Sequence, residues 1–90
     1  MAMQIWKTDI SVSDEQVRLP LGSIPISVHM QAGVPMMWSL VDTSQPRAML
    51  PILVAGTGHT LPDNLGRFLG TFMVAEDALV FHVFTLRERN

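Results

Sequence analysis

Residues 24–31, IPISVHMQ, decide the fold class of this chain. Apolar residues stand at every second position from Ile24 to Met30, and polar residues stand at positions 27, 29 and 31. A period of two is typical of a half-buried β-strand, because successive side chains of a strand point to opposite faces of its sheet. We therefore predict a strand here, with its apolar residues on the buried face.

The residues that follow predict a β-hairpin. A turn over residues 31–35 contains Gly33, and Pro35 is expected at the entrance of the next strand because it has no amide hydrogen to donate. The alternation then resumes, with Met36, Trp38 and Leu40 on one face and Met37, Ser39 and Val41 on the other. The two strands are predicted to be antiparallel neighbours.

A second strand pair is predicted near the N-terminus. Residues 4–10 alternate, with Trp6, Thr8 and Ile10 on one side. Residues 13–15 form a polar turn, so we expect residues 16–19 to return beside the first strand.

The C-terminal half has three further stretches with strand character. Residues 50–55 are an apolar run, in which Pro51 favours an edge or a bulge. Residues 68–74 and 79–86 predict a hairpin around the acidic turn at 76–77. Both sides of 79–86 are apolar, which is typical of a central strand.

One stretch has a helical signal. In residues 60–66 a proline opens, and a glycine could close, a single turn of helix. The predicted fold is all-β, or β-rich with one short helical turn, as a small antiparallel sandwich or barrel of five to seven strands. We expect a single domain over residues 1–86 and a polar tail over 87–90.

Composition excludes several classes of protein. Of 90 residues, 48% are hydrophobic and 16% are charged, so the chain is too apolar for a disordered protein. The net charge of −2 makes direct nucleic-acid binding an unfavoured function. The absence of cysteine excludes disulfides, Fe–S clusters and thiol catalysis. No apolar run is long enough for a membrane helix, and the first ten residues do not resemble a secretory signal.

The segment AGTGHT, residues 55–60, has residue types that are typical of a binding site and not only of a structural connection. Gly56 and Gly58 flank Thr57, and His59 and Thr60 follow. Successive amides in a glycine-rich turn can hold an anion, and a histidine can change its charge near neutral pH. The segment is therefore a candidate site for a phosphate or carboxylate, although a turn whose glycines serve only geometry is the simpler interpretation.

Three further polar residues are of interest. His82 and Arg67 each have two interpretations, and His29 has one. His82 is either a partly buried residue bonded to a backbone carbonyl or a partner of His59 in one pocket. Arg67 either neutralises an anion near His59 or pairs with Asp63, four residues earlier. His29 lies on a polar face and is expected to be exposed to solvent.

Catalytic and metal-binding patterns are weak in this chain. No HExxH or GxSxG motif and no tyrosine is present, and the adjacent acidic pairs at 14–15 and 76–77 lie in predicted turns. We therefore predict a non-catalytic protein without a metal or a cofactor. A small hydrolase that uses a histidine as general base is the weaker alternative.

A protein interface is predicted at Met36, Met37 and Trp38. Seven methionines and low charge suggest apolar surface for a partner or for self-association, because methionine adapts to varied binding surfaces. Core packing is the alternative role for the same three residues.

Several short motifs also occur in a recognisable order. They are IWK at 5–7, DxQ at 14–16, LPxG at 19–22, QxGxP at 31–35, WxLVD at 38–42, GTGHxLPDNLGR at 56–67, LGTF at 69–72 and LVFHVF at 79–84. In these the chain resembles a family of short domains of unknown function that is frequent in bacteriophage genomes and prophages. The resemblance covers nearly the whole chain, and its most specific part is residues 56–67.

The resemblance implies a setting and no inherited activity. We expect a small phage-type accessory protein in the bacterial cytoplasm, without a membrane partner. Its expected function is a non-catalytic binding module that antagonises a bacterial defence factor by binding a host protein or complex, and it could form a homo-oligomer. The alternative is a binding module or sponge for a nucleotide or other anionic small molecule, which residues 56–59 would hold.

Overall fold

The computed structural model describes residues 1–88, which form seven β-strands. In chain order these are β1 (Met3–Asp9), β2 (Gln16–Pro20), β3 (Ile24–Gln31), β4 (Val34–Asp42), β5 (Arg47–Gly56), β6 (Leu65–Val74) and β7 (Leu79–Leu86). They build two antiparallel sheets, ordered β1-β4-β3 and β2-β5-β7-β6, with the apolar core between them. The prediction of an all-β antiparallel sandwich or barrel of five to seven strands is confirmed, and the fold is a sandwich of seven.

The predicted helical turn over 60–66 is wrong. Residues 59–62 have no regular structure, residues 63–64 form a turn, and β6 already begins at Leu65. Pro62 contributes to this result, because a proline pushes the residue before it out of the helical region. Among the residues that the structure describes, no helix is long and apolar enough to cross a membrane.

The β3–β4 hairpin forms as predicted. Ala32 and Gly33 connect the strands with positive φ angles of 51° and 80°. Two positive φ angles are typical of the tight turn whose twist matches that of paired strands. Pro35 lies at the beginning of β4, as expected.

The burial predicted for β3 is right at Val28 and wrong at Ile24, Ile26 and Met30, which are exposed. The register shifts between Pro25 and Ser27, so β3 carries a bulge there. A bulge inserts one extra residue and reverses the alternation on one side of it. As a result Pro25 is buried, while Ile24 and Ile26 face solvent.

Strand β4 separates its two faces sharply. Met37, Ser39 and Val41 are completely buried against the second sheet. The side chains of the alternate residues face outward and are half-buried, namely Met36, Trp38 and Leu40. The prediction that Met37 belongs to an interface is therefore wrong, since its side chain is part of the core.

Strands β1 and β2 do not pair with each other, contrary to the sequence-based prediction. β1 pairs with β4, and β2 pairs with β5 in the other sheet. The chain crosses between the sheets after Ile10, which is buried, and the crossing includes a turn in which the Ser11 amide donates to the Asp14 carboxylate at 2.9 Å. Burial of Val17 and Leu19 accounts for the crossing, because both side chains enter the core from the second sheet.

The four-stranded sheet agrees better with its prediction. β6 and β7 form the expected hairpin, and β7 lies centrally between β5 and β6. Pro51 is the last residue of β5 that pairs with β2, and β7 pairs with β5 only from Ile52 onward, so residues 47–51 have a partner strand on one side, as an edge strand does. Proline is tolerated at such a position because its missing amide hydrogen interrupts no ladder.

The two flanks of the sandwich are closed differently. On the β3–β6 flank the Arg67 guanidinium donates to the Pro25 carbonyl at 2.7 Å. On the β1–β2 flank the Arg47 guanidinium lies 4.5 Å from the centre of the Trp6 ring, which is a cation–π contact. Of the predicted tail at 87–90, the amide of Arg87 donates to Asn64 at 2.7 Å, and residues 89–90 lie outside the described residues.

Ser39 offers a test of the core. Its side chain is 0% exposed, and its hydroxyl has no hydrogen-bond partner within residues 1–88. An unpaired buried hydroxyl destabilises a fold, so Ser39→Ala is expected to raise the free energy of unfolding by about 1 kcal/mol. Urea denaturation measures the change, with Ser27→Ala on the outer side of β3 as a control close to zero. A loss of stability in Ser39→Ala would contradict the assignment.

Asp42 organises the turn after β4. Hydrogen bonds from the Ser44 hydroxyl, the Ala2 amide and the Ser44 amide lower the pKa of Asp42 from 3.8 to about 2. The folded state therefore favours the carboxylate, and this stabilisation is complete above pH 3.8 and is lost as the pH falls towards 2. We expect Asp42→Asn to flatten the fall in thermal midpoint over that range, as measured by calorimetry. An unchanged slope would contradict the assignment.

Candidate functional site

The loop after β5 is a tight turn whose amides are already engaged. The His59 amide donates to the Gly56 carbonyl at 3.1 Å, and Gly58 has the positive φ of 90° that such a turn needs. The Gly56 amide donates to Nδ1 of His59 at 3.2 Å, and the Thr57 amide donates to the Val80 carbonyl at 3.3 Å. Three of the amides predicted to hold an anion are therefore bonded within the protein.

His82 connects this loop to the sheet. It faces outward from β7, and its Nε2 lies 2.9 Å from the Thr57 hydroxyl. Its Nδ1 lies 3.0 Å from the hydroxyl of Thr71 on β6. The partners of this ring are hydroxyls and not the backbone carbonyl of the first interpretation. No pattern in the sequence indicated Thr71.

His59 and His82 line one pocket, as the second interpretation predicted. The pocket has a volume of about 190 Å³, and Gly56, Thr57 and Gly58 also line it. Its remaining walls are apolar and are formed by Ala55, Leu61 and Phe84. A second pocket of about 330 Å³ shares Gly56, Thr57 and His59 and extends along residues 78–81.

Two of the residues predicted for this site lie elsewhere. Thr60 lines neither pocket. The backbone amide of Arg67 donates to the Thr85 hydroxyl at 2.8 Å, and its guanidinium reaches Pro25 in the other sheet. Arg67 thus connects the two sheets, a role that the spacing along the sequence could not reveal.

The chemistry available at the pocket is limited. The Thr57–His82 contact has the distance of a nucleophile and its general base. Catalysis of acyl transfer also needs donors for a developing negative charge, and the amides of Gly56, Thr57 and His59 already have acceptors. Within residues 1–88 no three His, Asp or Glu side chains lie close enough together to hold a metal ion.

The outer face of the three-stranded sheet carries exposed or half-buried apolar side chains on all three of its strands. We call it the Trp38 face and define it by Met3, Ile5, Ile24, Met36, Trp38 and Leu40. Ile5, Leu40 and Ile24 lie opposite one another across all three strands, and Ile5 is 64% exposed. The alternation in the sequence indicated Met36 and Trp38, but it placed Ile24 on the buried face because the bulge in β3 has no periodic signal.

The centre of the Trp38 face is aromatic and its margin is polar. The rings of Trp38 and His29 meet edge to face, with their centres 5.9 Å apart. Lys7 lies beside Trp38 in the neighbouring strand, and Asp9 lies beside Met36. The prediction that His29 is exposed to solvent is confirmed.

Comparison with known proteins places the chain in a family without giving it an activity. Neither the curated proteins nor the solved structures contain a match to it. A family model for a domain of unknown function, DUF7352, matches residues 1–90, so the chain belongs to the DUF7352 family.

Proposed function

We propose that this protein is a non-catalytic binding module that recognises another protein through the Trp38 face. The observation that carries the proposal is the row formed by Ile5, Leu40 and Ile24, which crosses the sheet on its solvent side. Large exposed apolar patches on small proteins mark interaction sites, because they are costly to leave in water.

The arrangement of the face supports a protein partner. Tryptophan near the centre of an apolar patch is a frequent hot-spot residue, and a polar margin excludes water from it. Trp38 occupies that central position on the middle strand, and Lys7 and Asp9 supply charges at the margin. Opposite charges at the margin would orient a partner rather than supply most of the affinity.

Two matched substitutions test the face. Ile24 and Met49 are each 51% exposed and lie on the outer faces of different sheets. We expect Ile24→Glu to abolish capture of the partner from a host lysate, because it introduces a charge into the apolar row. Met49→Glu adds the same charge to the opposite side of the sandwich and is expected to retain capture. Equal capture by both variants would contradict the proposal.

The finer part of the proposal is that the partner is a bacterial defence protein. The phage setting that the sequence resemblance implies supports it, since small accessory proteins of that kind often disable a host factor. Production of the protein should allow a restricted phage to form plaques on a host carrying the relevant defence system. Ile24→Glu should lose that effect, and a panel of defended hosts with no change in plating would contradict this part alone.

The pocket favours a second candidate function, the binding of a small molecule. His59 and His82 both face it, and this is the observation that supports the candidate. A nucleotide at 100 times its dissociation constant would add about 2.7 kcal/mol of stability, which a thermal-shift screen detects. The engaged amides and the distant Arg67 favour an uncharged portion of the ligand in the pocket over its phosphate. A shift that persists in His59→Ala would place the ligand elsewhere.

A further inference from the structure

The free edge of β1 carries unpaired backbone groups in a regular pattern. The Thr43 amide donates to the Ala2 carbonyl at 2.8 Å, and the Ile10 amide donates to the Pro35 carbonyl at 3.0 Å. Hydrogen-bonded pairs alternate along an antiparallel ladder, so even-numbered residues of β1 bond to β4. The amides and carbonyls of the odd-numbered residues therefore point away from β4, where no other strand lies within residues 1–88. These residues are Met3, Ile5, Lys7 and Asp9.

The other edge strands carry features that hinder pairing with a further strand. β2 has five residues and ends in Pro20. β3 contains Pro25 and a bulge, and the register of β6 shifts twice between Leu65 and Gly70. Prolines, bulges and short length are the usual protection of sheet edges. β1 has seven residues, an unbroken register and neither proline nor glycine.

The one charged side chain that could protect the middle of this edge is directed away from it. Lys7 lies in β1, but its Nζ donates to Oε1 of Gln31 in β3 at 2.6 Å. Its side chain therefore crosses β4 and leaves the free edge open. A lysine protects an edge only when its charge projects over that edge.

We propose that the β1 edge pairs antiparallel with the β1 edge of a second copy of this chain. One arrangement pairs all four odd-numbered residues, namely that in which Met3 faces the second copy's Asp9 and Ile5 faces the second copy's Lys7. The two-fold axis then passes beside Trp6. Each copy supplies the groups that the other lacks, so the pairing is self-complementary.

The environment of Trp6 supports a second copy as the occupant. Its ring is only half-buried at the flank, with the Arg47 guanidinium on one side. In the proposed arrangement the two Trp6 rings lie on facing positions of adjacent strands, where aromatic pairs stabilise a sheet. The result is a continuous six-stranded sheet across the dimer, with one Trp38 face in each half.

A comparison of Lys7→Pro with Lys7→Ala separates the effect of the backbone amide hydrogen from the effect of the side chain. Both remove the contact with Gln31, but only proline removes the amide hydrogen that points to the free edge. We expect the wild-type chain and Lys7→Ala to dimerise in sedimentation equilibrium. Lys7→Pro should raise the dissociation constant on the order of thirtyfold, because each dimer loses two hydrogen bonds.

Hydrogen exchange of the full chain gives a second readout that needs no variant. The amides of Ile5, Lys7 and Asp9 should gain protection as the protein concentration rises. Those of Gln4, Trp6 and Thr8 should be protected at every concentration, because they bond to β4 within one copy.

Three results would overturn the proposal. One is a wild-type chain that remains monomeric at millimolar concentration, and another is a dimer whose odd-numbered amides of β1 gain no protection. The third is a folded Lys7→Pro variant that dimerises as tightly as Lys7→Ala. Partner capture is not involved in these measurements, so their outcome is independent of the proposed function.

Discussion

Gly70→Ala is expected to lower the free energy of unfolding by about 3 kcal/mol or more, which is a large part of the total stability of a small domain. A Cβ atom at Gly70 would overlap the carbonyl oxygen of Val28, and it would also lie 3.3 Å from the Val28 Cβ. Val28 belongs to β3 in the opposite sheet, so the clash involves backbone on both sides. Relief requires the two sheets to separate along the flank where Arg67 joins them.

Gly22→Ala is the control for this substitution. A Cβ atom at Gly22 would have no atom within 4 Å, although its φ of 83° favours glycine. We expect a loss of about 1 kcal/mol there, from the backbone conformation alone. Urea denaturation followed by circular dichroism compares the free energies of unfolding of the two variants. Equal losses of free energy would show that the two sheets can separate at the β3–β6 flank at little cost.

Phe72→Ala is expected to cost about 3–5 kcal/mol, the range for deleting a buried aromatic side chain. Phe72 is 2% exposed, and its ring stacks on that of Phe81 with 5.7 Å between their centres. Its loss would leave a cavity at the centre of the core that the close-packed strands cannot fill by relaxing.

Phe68→Ala, in the same strand, provides the matched control. Phe68 is 56% exposed and touches Phe84 on the outer side of the sheet, with 5.4 Å between ring centres. Such a pair contributes about 0.5–1.5 kcal/mol, so the expected loss is several times smaller than at Phe72. Chemical denaturation of both variants checks the difference, and comparable losses would mean that Phe72 is not the centre of the core.

Local patterns were sufficient to predict the hairpins. The turns at 32–33 and 75–78 join strands that alternate in sequence, and neighbouring strands pair through short connections. The same local reasoning was wrong at β3, because the bulge between Pro25 and Ser27 reverses the side chains that face the core. A proline inside an alternating run was the available signal for that bulge.

The pairing of strands that are distant in the sequence could not be predicted from the sequence. Nothing in residues 16–19 shows that their partner is β5 and not β1, because both strands offer apolar residues to a neighbour. The same limit applies to the pocket. Gly56 and Gly58, on either side of Thr57, predicted a turn next to His59, and β7 places His82 beside it, but the position of Arg67 depends on how the two sheets approach each other.

The partners of β1 and β2 have a consequence for biosynthesis. The ribosome produces both strands before their partners exist, because β1 waits for β4 and β2 waits for β5. During that interval two apolar segments of the nascent chain remain without a sheet, whereas the β3–β4 hairpin can form as soon as it emerges. Slow translation before residue 56 would therefore prolong the period in which the nascent chain can aggregate or recruit a chaperone.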